Sequence, residues 1–364
     1  MLYYNVLERN LIFKRPALTS RGEYVERRVW YVFLSKELLT KEHCEELLLK
    51  PYLWGHGLVG VGEIAPLYDL SIDYCSDFLN KIHFCCRNFL TDTGVDFDGL
   101  RLYPSICFGI ETALMSLNSL DGLSFFDTSF ARGESPVLTN GLVWMGSLEQ
   151  MKADLYKKVS LGFRCIKCKI GALDFEQELE LLRIVRTEFG QHQLQLRVDA
   201  NGAYSVEQAK EVLSILNSMS VHSIEQPIRA GQWDEMRKLC QSTLVPIALD
   251  EELIGVSDLI EKREMLSYIR PQYLVLKPTL HGGVTGVREW IDCAKDFGIG
   301  YWLTSALESN VGLNSIAQLA ATLDGAERWQ GLGTGALFVK NVEHLGLSLK
   351  GEELWSKNSC NLEG

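Results

Sequence analysis

From about residue 138 the chain alternates short apolar runs with amphipathic segments. The runs are Leu138–Met145, Phe163–Ile170, Leu194–Val198, His222–Ile224, Pro246–Leu249, Tyr273–Leu276, Gly300–Leu303 and Arg328–Gly331. Each has the length and texture of a buried strand, and most are followed by a stretch with helical spacing. The clearest helix opens at Ser205, where Ser205 and Gln208 form a capping-box pair and Val206, Ala209, Leu213 and Leu216 share one face. Eight strands alternating with helices predict a modified (β/α)8 TIM-type barrel. A doubly wound sheet is the alternative, but it calls for a glycine-rich phosphate turn after an early strand, and neither GxGxxG nor a Walker A pattern is present.

The preceding part reads differently. Residues 3–14 and 25–35 are patterned as strands, separated by the breaker-rich segment Arg15–Gly22. A glycine-rich stretch, Gly55–Gly62, leads into Glu63–Leu67, and helical spacing occupies 71–91 and 105–120. The pattern predicts an α/β protein in two units: an N-terminal α+β capping domain over residues 1–135, joined by residues 340–364, and a barrel over 136–339.

Composition narrows the function. The 364 residues are 46% hydrophobic and 23% charged, with a formal net charge of −11. That balance argues against nucleic-acid and membrane-surface partners, though not against a small anion. No apolar run reaches the roughly 20 residues that span a bilayer. The first ten residues lack the basic and apolar regions of a signal peptide, and ten cysteines without one predict cytoplasmic thiols. Cys165 and Cys168 are read as ordinary thiols rather than a redox pair, because they lie within a strand and no second CxxC follows.

Polar residues interrupt the apolar runs at their carboxyl ends: Lys167 and Lys169, Asp199, Glu225, Asp250, Lys277, then Thr304, Ser305 and Glu308. From Lys169 to Ser305 they recur every 25 to 30 residues, one per strand–helix unit. In a barrel those ends form the active site. Asp199, Glu225 and Asp250 would converge there, and three carboxylates in a low-dielectric site call for a counter-charge. An all-oxygen donor set suits Mg2+ (or Mn2+) better than zinc. Lys167 and Lys169 are two apart on a strand and so point to one face, with Lys277 across the barrel. Desolvation and like charge are expected to lower a lysine pKa there toward neutrality, for proton abstraction beside a metal-bound carboxylate.

The motifs Lys167-Cys168-Lys169, Asp199-Ala200-Asn201, Glu225-Gln226-Pro227, Asp250-Glu251 and Lys277-Pro278-Thr279 resemble those of the enolase superfamily, in its muconate-lactonising-enzyme-like branch. Gly62–Pro66 resembles the capping segment of the same proteins. Lys277–Gly283, Thr304–Ser309 and Gly331–Thr334 are most similar to the o-succinylbenzoate synthase family of menaquinone biosynthesis. The resemblance implies a metal-dependent lyase acting on a small dicarboxylate through an enolate. Asp199, Glu225 and Asp250 would ligate Mg2+. Lys169 would abstract the proton and then assist loss of hydroxide, Lys277 would stabilise the enolate, and Lys167 would touch the metal-bound carboxylate and depress the pKa of Lys169. Asn201, Ser305 and the Gly331 backbone would contact substrate, with Ser20 and Arg21 in a Thr19–Gly22 loop closing the site. Ala306 departs from a serine-rich form of its segment, and His281 is read as a surface-loop residue without a role. N-acylamino acid racemases and dipeptide epimerases of the superfamily are the alternative. Dipeptide enzymes are expected to carry an acid after the eighth strand, where this chain has Gly331–Gly335. A barrel that only binds metal or metabolite is the alternative of another class. Oligomeric state is not legible.

Overall fold

The computed structural model describes residues 2–19, 22–91, 94–172, 174–343 and 345–356. In the N-terminal part, β1 (Tyr3–Thr19) and β2 (Gly22–Ser35) form an antiparallel hairpin, and β3 (Val59–Ile64) pairs with β2. The Arg15–Gly22 segment, expected as a loop, is largely strand. The ladder breaks between Ile12 and Ala17, around Pro16, then resumes to Thr19↔Gly22. An irregularity of this kind accommodates a proline, which cannot donate to the ladder. The outer edge of β1 is covered by residues 337–339, through Lys14 N–H to Leu337 O (2.8 Å) and Val339 N–H to Ile12 O (2.8 Å).

Helix α1 (Lys41–Leu49) links β2 to β3; α2 (Phe78–Phe89), the short ladder β4 (Leu90–Thr91) with β5 (Gly94–Val95), α3 (Phe97–Leu100) and α4 (Pro104–Asn118) follow. Residues 71–77, expected within a helix, form turns instead. There Asp73 accepts from the Ser105 amide (2.8 Å) and hydroxyl (2.6 Å), so it serves the start of α4 rather than a helix of its own.

Seven parallel strands make the barrel wall in consecutive order: β7 (Gly141–Val143), β8 (Cys165–Lys169), β9 (Gln195–Asp199), β10 (Ser223–Glu225), β11 (Ile247–Leu249), β12 (Tyr273–Leu276) and β13 (Gly300–Leu303). Around them lie α5 (Leu148–Ser160), α6 (Phe175–Glu188), α7 (Val206–Ser218), α8 (Trp233–Ser242), α9 (Leu259–Ile269), α10 (Gly283–Phe297) and α11 (Asn310–Ala320). Two expected strands differ. The run from Leu138 splits, because β6 (Val137–Leu138) pairs antiparallel with the C-terminal hairpin of β14 (Leu347–Lys350) and β15 (Glu353–Ser356). Arg328–Gly331 forms no named strand. It closes the barrel through two bridges, Thr139↔Gln330 on the β7 side and Thr304↔Gly331 beyond β13.

Helix α7 starts as its sequence predicts, with Gln208 N–H on Ser205 Oγ (3.2 Å) and Ser205 N–H on Gln208 Oε1 (2.9 Å). Ala209, Leu213 and Leu216 are buried, and Val206 is partly buried against the same core. One hydrophobic cluster fills the space between the strands and their helices. A second joins β1 and β2 residues such as Leu11 and Tyr31 to Leu280, Ala306, Leu307 and Phe338, fastening the N-terminal sheet over the loop end of the barrel.

Candidate active site

Parallel register brings the charged residues into one row. Lys169 lies beside Asp199, and Asp199 beside Glu225, as direct lateral partners on β8, β9 and β10. Asp250 follows β11, and Lys277 follows β12. β8 and β12 are separated by three strands, so Lys169 and Lys277 approach from different sides. Asp199 and Asp250 are completely buried and Glu225 nearly so. All six expected charged residues therefore meet at the carboxyl end of the barrel. Lys167 Nζ bonds Asp199 Oδ2 (2.9 Å) and both oxygens of Glu225 (2.9 and 3.1 Å). Lys169 Nζ bonds Asp199 Oδ2 (2.7 Å) and Asn201 Oδ1 (2.6 Å). Lys277 pairs with Asp250 Oδ2.

The electrostatics follow from this clasp. Burial works against the charge on Asp199, but Lys167 and Lys169 outweigh it and hold its carboxyl below the usual range. Burial, reinforced by Asp199, pushes Glu225 well above that range. Lys277 reverses the expected direction. Burial opposes its ammonium, yet Asp250, with Glu225 and Glu251, wins and raises its pKa. Lys167 is likewise raised, by Asp199 and Glu225 against burial. At Lys167 and Lys277, nearby anions thus dominate over like charge and desolvation.

The donor set fits a hard divalent cation. Three buried carboxylates repel one another, and Asp250 Oδ1 and Glu251 Oε2 are buried with no hydrogen-bond partner among the described residues. Such orphaned anionic oxygens are costly unless a cation meets them. Among the described residues no three donors are already gathered at ligand spacing, and lysine ammoniums pair with all three acids.

Two strand-end turns make the arrangement. Asn201 and Gln226, each two or fewer residues past a ligand candidate, adopt left-handed backbone (φ 45° and 40°). Gln226 Oε1 accepts from the amides of Asp250 and Glu252 (both 3.2 Å), steadying the next strand end. Asn201 Nδ2 donates to Glu251 Oε1 (2.9 Å). Gln226 and Glu251 were visible only as neighbours in their motifs; their contacts cross strands and leave no local signal.

Lys167, Lys169, Asp199, Asn201, Ser305 and Gly331 all line one cavity. The same cavity has apolar lining from Leu142, Trp144 and Ala306, while Tyr24 and Leu67 come from the N-terminal part. Ser305 reaches it with a committed hydroxyl. Its Oγ donates to Glu308 Oε2 (2.5 Å) and accepts from Thr334 Oγ1 (2.8 Å). Gly331 uses its N–H on Leu303 O (2.7 Å) and its carbonyl for Ser305 N–H (3.0 Å), so it contributes room rather than a free polar group. A Cβ there would lie 2.2 Å from Thr304 Oγ1. Ser20 and Arg21 lie outside the described residues.

The surface reading of His281 is overturned: it is 4% exposed, with Nδ1 accepting the Lys277 backbone N–H (3.0 Å). Cys165 and Cys168 are buried free thiols, with pKa values raised by burial to about 11 and about 12.

Comparison with known proteins agrees with the geometry. A family model described as Enolase C-terminal domain-like matches residues 150–336. The o-succinylbenzoate synthase of Desulfotalea psychrophila is 39% identical over 92% of this chain and 93% of its own length. The crystal structure of MenC from the same organism superposes with a TM-score of 0.80 at 34% identity, covering 97% of this chain and 99% of that one. The L-Ala-D/L-Glu epimerase of Bacillus subtilis shares the fold, with a TM-score of 0.77 over 98% of this chain and 96% of its own at 17% identity. The chain belongs to the enolase superfamily, within its o-succinylbenzoate synthase family, whose members imply a divalent metal.

Proposed function

We propose that this protein is a Mg2+-dependent o-succinylbenzoate synthase, with Mn2+ as the other suitable ion. It dehydrates 2-succinyl-6-hydroxy-2,4-cyclohexadiene-1-carboxylate to 2-succinylbenzoate in menaquinone biosynthesis. The observation that carries the reading is Lys169 and Lys277 set apart around Asp199, Glu225 and Asp250, in a chain 39% identical over nearly its whole length to a synthase. Asp199, Glu225 and Asp250 would hold the ion, and of these three Asp250 has the oxygen, Oδ1, without a hydrogen-bond partner among the described residues. When bound, the ion supplies positive charge for the carboxylate as it gains enolate character.

Lys169 removes the proton alpha to the carboxylate, then returns a proton to the departing hydroxyl on the adjacent carbon. One C–H and one C–O bond break, water leaves, and the ring becomes aromatic. Lys277 places its ammonium on the other side of the developing negative charge. Lys167 bridges Asp199 and Glu225 and so holds the two carboxylates together. Asn201 orients Lys169 through Oδ1, and the apolar wall around Trp144 excludes water from the ring. Ser305, Gly331, Ser20 and Arg21 are kept as candidate substrate contacts, Ser305 through the wall it builds with Glu308. Residues 1–135 as cap and 136–339 as barrel belong to the same proposal, as does a cytoplasmic setting. Among the described residues no helix is long and apolar enough to cross a membrane.

The test is a direct dehydration assay with and without chelator, beside deuterium exchange on N-succinyl amino acids. Dehydration that stops with chelator and returns with Mg2+ is expected. Rapid exchange without dehydration would replace the lyase by a racemase.

A further inference from the structure

Lys277 is the first residue beyond the β12 ladder, and its backbone is held from within its own turn. Its N–H donates to His281 Nδ1 (3.0 Å), while its carbonyl accepts from the amides of Leu280 (2.8 Å) and His281 (3.0 Å). Because Nδ1 accepts, the imidazole carries its proton on Nε2, which has no partner among the described residues. Burial, then Lys277 and Lys262, hold the ring neutral across the physiological range. The backbone of the turn is packed closely: a Cβ on Gly286 would lie 2.2 Å from the His281 carbonyl oxygen. The turn is also fixed at both flanks: Thr279 donates to Glu308, and Glu111 receives the amides of Val284 (2.6 Å) and Thr285 (3.0 Å) at the start of α10.

We propose that His281 is a positioning residue for Lys277: its Nδ1 fixes the lysine's backbone and thereby the line along which the ammonium enters the cavity. The inference rests on the role given to Lys277 under the proposed function. His281 acts through a backbone hydrogen bond and transfers no proton. Side-chain reach therefore matters more than titration. In His281→Asn, Oδ1 lies the same number of bonds from Cα as Nδ1; in His281→Gln the amide lies one atom farther; His281→Ala has no acceptor.

Steady-state kinetics of the three variants, each with its thermal midpoint, test this. His281→Ala and His281→Gln are expected to lose about 10- to 100-fold in kcat with little change in KM, the signature of a misplaced reacting group. His281→Asn is expected to recover most of the loss. The two amides have the same polarity, so a folding defect in the alanine variant leaves their comparison intact. Equal kcat for the Asn and Gln variants, a loss confined to KM, or wild-type kcat in His281→Ala would overturn the proposal. A wild-type protein without dehydration activity would instead overturn the function reading.

Discussion

Lys169 and Lys277 differ in what holds them, and that sets what each can do. Lys169 bonds one carboxylate oxygen and one amide oxygen, whereas among the described residues the Lys277 ammonium bonds only Asp250. In the proposed mechanism Lys169 moves the proton. Lys169→Ala is expected to lower kcat by at least about 10²- to 10⁴-fold. Metal binding, followed by calorimetric titration with Mn2+, should remain because the three carboxylates are unchanged. Turnover close to wild type would remove Lys169 from the mechanism. Lys167 and Lys169 were legible in the sequence because a period of two puts both on one strand face, and Lys277 because it ends an apolar run. The raised pKa values of Lys167 and Lys277 were not, since they depend on carboxylates brought from other strands. His281 shows the same limit: nothing near it in the chain announces that its ring turns back onto Lys277.

Strand β3 and helix α4 meet at backbone distance. A Cβ on Gly60 would lie 2.0 Å from the Ala113 carbonyl, and one on Gly62 1.9 Å from the Gly109 carbonyl. The glycines thus let α4 lie directly on the sheet that caps the cavity. Gly62→Ala is expected to destabilise the fold by about 1–3 kcal/mol or more, since backbone rather than a flexible side chain must move. Denaturant unfolding against wild type measures it; an unchanged midpoint would mean the sheet and helix are not packed as described. Element type was readable wherever the signal is local, as in the Ser205–Gln208 capping box. Arg328–Gly331, expected as a strand, meets its neighbours only at the single bridges Thr139↔Gln330 and Thr304↔Gly331, and an apolar run alone does not reveal whether a ladder will form.

Across the whole molecule, buried charges dock the N-terminal part onto the barrel. Arg27, on β2, donates to the carbonyls of Ala65 and Pro66 on its own side and of Ala306 (3.2 Å) on the barrel side. Glu63 on β3 accepts from Ser309 N–H (2.7 Å) and Gly312 N–H (2.7 Å) at the start of α11, as Glu111 does for α10. Burial pushes Glu63 up to about 7 from its ordinary 4.5, against the Ser309 and Gly312 hydrogen bonds. Between those values the folded state binds more protons than the unfolded state. The stability this group contributes is therefore full below about 4.5 and lost as pH rises to about 7. Glu63→Gln has no such titration. The stability advantage of wild type over it is expected to narrow between pH 4.5 and 7, by at most about 3 kcal/mol. Urea unfolding across that range checks the sign, and an advantage that grows with pH would contradict it.

The sequence by itself determined the alternation of strands and helices, the strand ends where charge collects and the family to which the motifs belong. Each is written in local spacing or in short contiguous motifs. Only the tertiary structure decided which side chains meet: Lys277 on Asp250, Ser305 on Glu308, His281 on the Lys277 amide, and two bridges where an eighth strand was expected. Those contacts depend on the register of distant strands and on burial, which turns an ordinary carboxylate or lysine into one whose charge its neighbours control.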